Sequence, residues 1–249
     1  MDIFFWGIVG WMGVAVITFI ILQFTAAPYG RHVRAGWGPT LPNRLGWLFM
    51  ELPGLILVPT LFFLGSGPKT TVHYVLVGCY VAHYVHRSLI FPWRTKTTGK
   101  RMPIAIMGSA IFFNLMNGSV LGGWLGNYAT YPENWITSPA FLIGAAVFLI
   151  GVAINVDADN RLLSLRKPGE TGYKIPQGGL FRFISCPNLF GEVVEWIGFA
   201  IMGWNIATLS FAVWTAANLL PRAIDHHRWY LKQFPEYPRE RRAVIPGLW

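Results

Sequence analysis

The stretch IFFWGIVGWMGVAVITFIILQF, Ile3 to Phe24, has no charged side chain and is as long as a helical crossing of a bilayer core, about 20 residues. No Lys or Arg precedes Arg31, so the run lacks the basic flank of a cleaved signal peptide and reads as a retained first span. Similar apolar runs cover about 45–66, 72–92, 103–124 and 138–158. The run from about 189 to 230 is long enough for two more, with a break expected between Gly203 and Ala207. The fold expected is all-α and integral to a membrane: a seven-transmembrane-helix bundle with the N-terminus outside and the C-terminus cytosolic. A single membrane domain, 1–249, is expected.

Composition agrees. Of 249 residues, 53% are hydrophobic and only 12% charged, roughly half the charge of an ordinary soluble domain. The formal charge of +9 would suggest nucleic acid in a soluble protein, but its distribution gives another cause. With the N-terminus outside, every Lys and Arg except Lys69 and Arg87 falls in a segment assigned to the cytosol. The basic excess therefore follows topology, with anionic lipid as a secondary partner, and no nucleic-acid or obligate protein partner is expected. Cys79 and Cys186 form neither a disulfide framework nor a zinc pattern. His83 and His86, with His226 and His227, are too few for a membrane di-iron centre, which takes about eight histidines, so no metal is expected.

Polar residues at membrane depth need partners or a purpose, since each ionisable one costs roughly 2.5–3.5 kcal/mol to insert. Asn155 and Asp159 share a face of the fifth span; Asn188, Glu192 and Glu195 share one on the sixth; Arg222, His226 and Tyr230 share one on the seventh. Glu51 stands about 10 Å in from Arg44, and Tyr84 about 15 Å in from Arg94, at 1.5 Å per residue. The two can therefore meet, with Arg87 one turn from Tyr84. All of these lie toward the cytosolic half, which suggests a cavity opening there. Trp47 and Trp196, each one turn from a glutamate, offer flat walls. GxGxxG and P-loop fingerprints are absent, so a nucleotide would be held by Arg, Lys and Asn side chains rather than by a Rossmann domain.

Several segments together carry a resemblance: GETGYKIPQGGLF (Gly169 to Phe181), NLFGEVVEW (Asn188 to Trp196), RAIDHHRWYLK (Arg222 to Lys232) and AVIP (Ala243 to Pro246). With ELP at Glu51 and HYVHR at His83 they cover nearly the whole chain, which resembles the steroid 5α-reductases. The resemblance implies reduction by NADPH of the C4–C5 double bond of a 3-oxo-Δ4-steroid. It implies Glu51 and Tyr84 on the 3-keto oxygen, and Trp47 and Trp196 as steroid walls. Around the cofactor it implies Tyr29, Arg87, Lys100, Asn155, Asp159, Arg166, Tyr173, Asn188, Glu192, Arg222, His226 and Tyr230, so that about 1–100 holds the substrate-gripping helices and about 101–249 mainly NADPH-binding helices and cytosolic loops. Met50 stands where many relatives have Gln, and Asp225 where they have His.

The chemistry suits these residue types. A conjugated ketone accepts hydride at its β carbon when the developing enolate oxygen is stabilised by buried donors. Tyr84 donates as it stands; Glu51 donates if protonated, as burial favours, or else orients Tyr84 as an acceptor. The rival readings are a reductase of another enone or a trans-2-enoyl-CoA, and an enzyme like the isoprenylcysteine methyltransferases. A lipid-binding protein without catalysis is a third. The expected location is the bacterial inner membrane, or the endoplasmic reticulum in a eukaryote.

Overall fold

The computed structural model describes residues 2–26, 30–32, 36–96, 99–167, 170 and 172–247. In chain order, α1 spans Asp2–Phe24, β1 Thr40–Pro42, α2 Asn43–Leu64 and α3 Thr71–Val85. A π-helical turn, His86–Ile90, leads into α4, Phe91–Arg94, and then β2, Arg101–Pro103. Helices α5 Ile104–Asn127, α6 Pro139–Ser164, α7 Pro187–Gly203 and α8 Ile206–Gln233 complete the chain. Four of these, over Ile3–Phe24, Asn43–Leu64, Ile104–Asn127 and Pro139–Ser164, are long and apolar enough to cross a membrane. Large apolar side chains such as Ile17, Ile21, Phe112, Leu149 and Ile150 are exposed along them, as lipid-facing residues would be.

Local chemistry sets the boundaries. Pro92 has no N–H and would crowd the carbonyl four residues back, which accounts for the widened π turn ahead of it. The α7–α8 break falls within the expected window. Trp204 turns into the left-handed region at φ 43°, and the Asn205 side chain caps α8 by accepting from Ala207 N (3.0 Å) and Thr208 N (3.1 Å).

The chain packs as two compact units, one of Pro28–Ser138 and one of Ile3–Ala27 with Pro139–Trp249. In the first, α2 and α5 run parallel, and α5 presents Gly118, Gly122 and Gly126 at every fourth position. A methyl added at Gly122 would lie 2.8 Å from the Val58 carbonyl oxygen, and one at Gly126 2.6 Å from that of Leu61. The helices touch backbone to backbone. At one end the short antiparallel β1–β2 pair closes the unit, Thr40 opposite Pro103. At the other, Gly67 N donates to Gly126 O (2.9 Å) and His73 bonds Ala129 O (3.1 Å).

In the second unit α6 and α7 run antiparallel and are joined the same way, with Gly144 and Gly151 facing Gly198 and Gly191. A methyl at Gly151 would meet the Glu195 backbone, and one at Gly191 would lie 2.5 Å from Asn155 N. Trp11 of α1 packs on Trp214 of α8 at 4.4 Å between centroids. The C-terminal segment returns across the base of α7: Ser185 N donates to Arg242 O (2.8 Å), Cys186 N to Ala243 O (3.1 Å), and Val244 is fully buried against Leu189, Val193 and Leu219.

Inside a bilayer, lipid and helix are equally apolar, so close approach across small residues carries helix association. Replacing Gly122 or Gly151 by Val is expected to lower the unfolding free energy in detergent by about 1–3 kcal/mol each, the usual cost of overpacking. The same change at Gly10, where an added methyl meets nothing within 4 Å, is expected to be nearly silent in the same thermal unfolding assay.

Candidate active site

In the first unit three helices converge on one polar cluster. Glu51 comes from α2, Tyr84 from the last turn of α3 and Asn114 from α5, one turn before the first glycine of the seam. That register aims Asn114 at α2. Its Nδ2 donates to the Met50 carbonyl (2.6 Å) and to Glu51 Oε2 (3.3 Å), and its Oδ1 accepts from the Tyr84 hydroxyl (3.1 Å). The Tyr84 ring lies over Gly54, where a methyl would come 2.5 Å from Cε1, and stacks on Tyr80 at 4.5 Å. The π turn places Arg87 beside this cluster: Nε stands 3.8 Å from Glu51 Oε1, and the guanidinium covers Trp47 at 4.8 Å and Phe91 at 5.2 Å. Tyr84 and Asn114 are buried, so these polar contacts act with little screening.

In the second unit the glycine seam also ends in asparagines. Asn155 of α6 donates to the Asn188 carbonyl (2.9 Å), and the Asn188 side chain donates to Asp159 Oδ1 (3.1 Å). Asn155 and Asp159 are buried, and Glu192 stands one turn along α7 from Asn188. The loop after α6 carries Arg166 over the Tyr173 ring at 4.8 Å, and that ring meets Trp229 of α8 edge-on at 4.9 Å. Gly178 and Gly179 both adopt positive φ, 79° and 49°, against the bidentate Asp157–Arg161 pair, so the double glycine of the loop is a steric requirement.

Helix α8 presents Arg222, His226 and Tyr230 along one side. Tyr230 is stacked on Tyr237 at 5.0 Å and 11°, and Tyr237 is held by Ser185 Oγ (2.7 Å), which also contacts His227 Nδ1 (2.6 Å). Arg241 ties the loop to this tail through Pro176 O (3.0 Å), Gln177 Oε1 (2.9 Å) and the Tyr237 ring. Burial pushes the Tyr237 phenol up, with the bonds to Ser185 and Arg241 opposing.

The profile of the 3-oxo-5-alpha-steroid 4-dehydrogenase family matches residues 100–249. Over 240 residues the chain is 42% identical to 3-oxo-5-alpha-steroid 4-dehydrogenase 1 of Bos taurus, covering 94% of this chain and 93% of that one. The chain belongs to the steroid 5α-reductase family. Steroid 5-alpha-reductase DET2 of Solanum lycopersicum is 42% identical over 95% of this chain and 93% of its own, and the Homo sapiens 3-oxo-5-alpha-steroid 4-dehydrogenase 1 is 40% identical over 90% and 87%.

For this 5α-reductase family chain, the residues singled out from sequence fall into distinct places. Glu51 and Tyr84 share a cluster, bridged by Asn114. Arg87 sits on Glu51 and Trp47 in the first unit. Lys100 is there too, its carbonyl accepting from Asn43 N (3.0 Å) at the start of α2. Asn155, Asp159 and Asn188 come together, as do Arg166 and Tyr173. Trp196 is enclosed by Phe148, Phe199 and Phe211, the last at 4.5 Å. Tyr29 lies outside the described residues. Sequence reasoning passed over Asn114, Tyr237 and Arg241. An asparagine well inside an apolar span was the available signal for the first.

The α6–α7 cluster yields a stability prediction. Asn188→Leu leaves the buried Asp159 carboxylate without this donor and is expected to cost about 1–3 kcal/mol in detergent unfolding. Asp159→Asn keeps an oxygen acceptor without the charge and is expected to cost less than Asn188→Leu.

Proposed function

We propose that this protein reduces the C4–C5 double bond of 3-oxo-Δ4-steroids to 5α-steroids at the expense of NADPH. Membership of a family whose named relatives are steroid 5α-reductases supports the reaction class. The observation that carries the mechanism is the joined Tyr84–Asn114–Glu51 cluster. We propose, with it, seven membrane crossings with the N-terminus outside and the C-terminus in the cytosol, which the Lys and Arg distribution supports.

The side chains present suit the cofactor chemically. Arg166 and Arg222 provide guanidinium forks for phosphates, while Asn155, Asp159 and Asn188 provide amide and carboxylate groups for carboxamide and ribose hydroxyls. Tyr173 and Tyr230 supply aromatic faces, and Glu192 and His226 further polar groups. NADPH, when bound, supplies the hydride that adds at C5.

The chain's own residues do the rest. As the C5–H bond forms, the alkene π electrons move to the C3–C4 bond and the ketone oxygen becomes an enolate. Tyr84 donates to that oxygen from a buried position, where a hydrogen bond counts for more than in water. Glu51 joins it as a second donor when protonated. In its ionised form it accepts from Asn114 and lies near Arg87, and so keeps the phenol oriented through the amide. A proton added at C4 completes the reduction. Trp47, held under Arg87, offers a flat face to a flat ligand. A methyl transferase would need no such enolate clamp, which places the methyltransferase reading second.

The test is NADPH oxidation by detergent-purified protein with progesterone, with a trans-2-enoyl-CoA as the rival substrate and S-adenosylmethionine as a control ligand. Oxidation with the steroid alone is expected; oxidation only with the thioester would reassign the substrate. Tyr84→Phe and Glu51→Gln are expected to lower turnover by about 10²–10³-fold, the usual loss of one oxyanion donor, with NADPH affinity nearly unchanged. Arg166→Ala and Arg222→Ala are each expected to weaken NADPH binding by about tenfold or more, as loss of a charge-assisted contact should. Unchanged affinity in both would remove them from that role.

A further inference from the structure

Asn114 has contacts that decide the polarity of the ketone clamp. Its amide could in principle be turned either way, with oxygen and nitrogen exchanged. The Met50 carbonyl at 2.6 Å removes that freedom, because a carbonyl oxygen only accepts and the atom facing it must be the NH2. The same nitrogen then faces Glu51 Oε2, which must accept, and the amide oxygen faces Tyr84, which must donate. One backbone carbonyl thus sets the direction of every bond in the chain Tyr84 → Asn114 → Glu51.

We propose that Asn114 is a positioning residue for steroid reduction: anchored on the Met50 carbonyl, it holds the Tyr84 phenol as a donor and Glu51 Oε2 as an acceptor before the ketone arrives. The inference rests on the proposed function and deepens it. Two consequences follow. The hydroxyl proton of Tyr84 is already directed outward from its own oxygen toward an amide, a neutral acceptor that a developing oxyanion outcompetes as negative charge grows. And Glu51 is held from two sides, Oε2 by the amide at 3.3 Å and Oε1 with Arg87 Nε at 3.8 Å, so its place beside the phenol is set before the ketone arrives. The placement is rigid, since Asn114 is buried to 3% exposure and lies one turn from Gly118, where α5 meets Leu57 of α2.

The experiment uses the full-length protein in detergent with progesterone as substrate. It measures kcat, KM and NADPH affinity for Asn114→Leu, Tyr84→Phe and the double variant, and the pH profile of Asn114→Asp. Asn114→Leu is expected to lower kcat by about tenfold or more, with NADPH affinity within about twofold of the parent, as an oriented donor is lost. In the double variant the second change is expected to add less than about twofold, because residues acting as a unit are not additive. The Asp variant keeps the shape and the acceptor for Tyr84 but sets a carboxylate against Glu51. Its turnover relative to the parent is expected to rise as pH falls from about 8 to about 6, when one of the two carboxyls regains a proton.

A parental kcat in Asn114→Leu, or losses that multiply in the double variant, would overturn the proposal. Should the Leu variant not fold, a pH-independent activity ratio for the Asp variant would overturn it alone. Failure of the broader reading looks different: Tyr84→Phe would itself turn over at the parental rate.

Discussion

Two helices can approach to backbone contact only where at least one of them lacks a side chain at the crossing, and both units of this protein are built on that constraint. Gly122 and Gly126 let α5 rest on the carbonyls of Val58 and Leu61, with Gly118 against the Leu57 side chain, and the facing pairs Gly144/Gly198 and Gly151/Gly191 bring the α6 and α7 backbones together. In apolar surroundings a leucine gains nothing by leaving lipid for a neighbouring helix, so packing depends on closeness. Closeness also fixes register. Once a glycine sits against a particular carbonyl, the residue one turn away on the same face has its partner chosen for it.

Both seams end in asparagine. Asn114 lies one turn before Gly118 and reaches the Met50 carbonyl; Asn155 lies one turn past Gly151 and reaches the Asn188 carbonyl. In each case a primary amide spans from one helix to the main chain of another; Asn114 also bonds Glu51 and Tyr84, and beside Asn155 it is the Asn188 side chain that reaches a carboxylate, Asp159. The first cluster joins a phenol to a carboxylate through an amide, and the second joins an amide to a carboxylate. Neither cluster needs a loop to hold it, which suits chemistry that tolerates little misplacement.

Much of the helix layout was legible in the sequence because bilayer thickness is a strong constraint on apolar runs. Helix ends follow the apolar runs within a few residues, and the break after Gly203 follows from Trp204 and Asn205 interrupting an aliphatic pattern. That Glu51 and Tyr84 could lie at one depth was accessible from their distances to the span ends, and that Asn155 and Asp159 share a helix face from their spacing. The bridge between Glu51 and Tyr84 was not, because the α2–α5 register depends on which glycine faces which carbonyl, a relation between segments some 60 residues apart. The tail contacts of Tyr237 and Arg241 were hidden for the same reason. Arg87 and Lys100, grouped by resemblance with the nucleotide, fold into the first unit, and Arg87 covers Trp47.

The most direct measurement follows the hydride. The full-length protein would be given NADPH deuterated at the transferable position of the nicotinamide together with progesterone, and the product examined by mass spectrometry and NMR. A clamp that stabilises an enolate oxygen predicts a single deuterium at C5 in the α configuration, with the conjugated enone absorbance lost. Deuterium at C3 with the alkene retained would mean that the carbonyl carbon is the acceptor, and would contradict the role given to Tyr84 and Glu51.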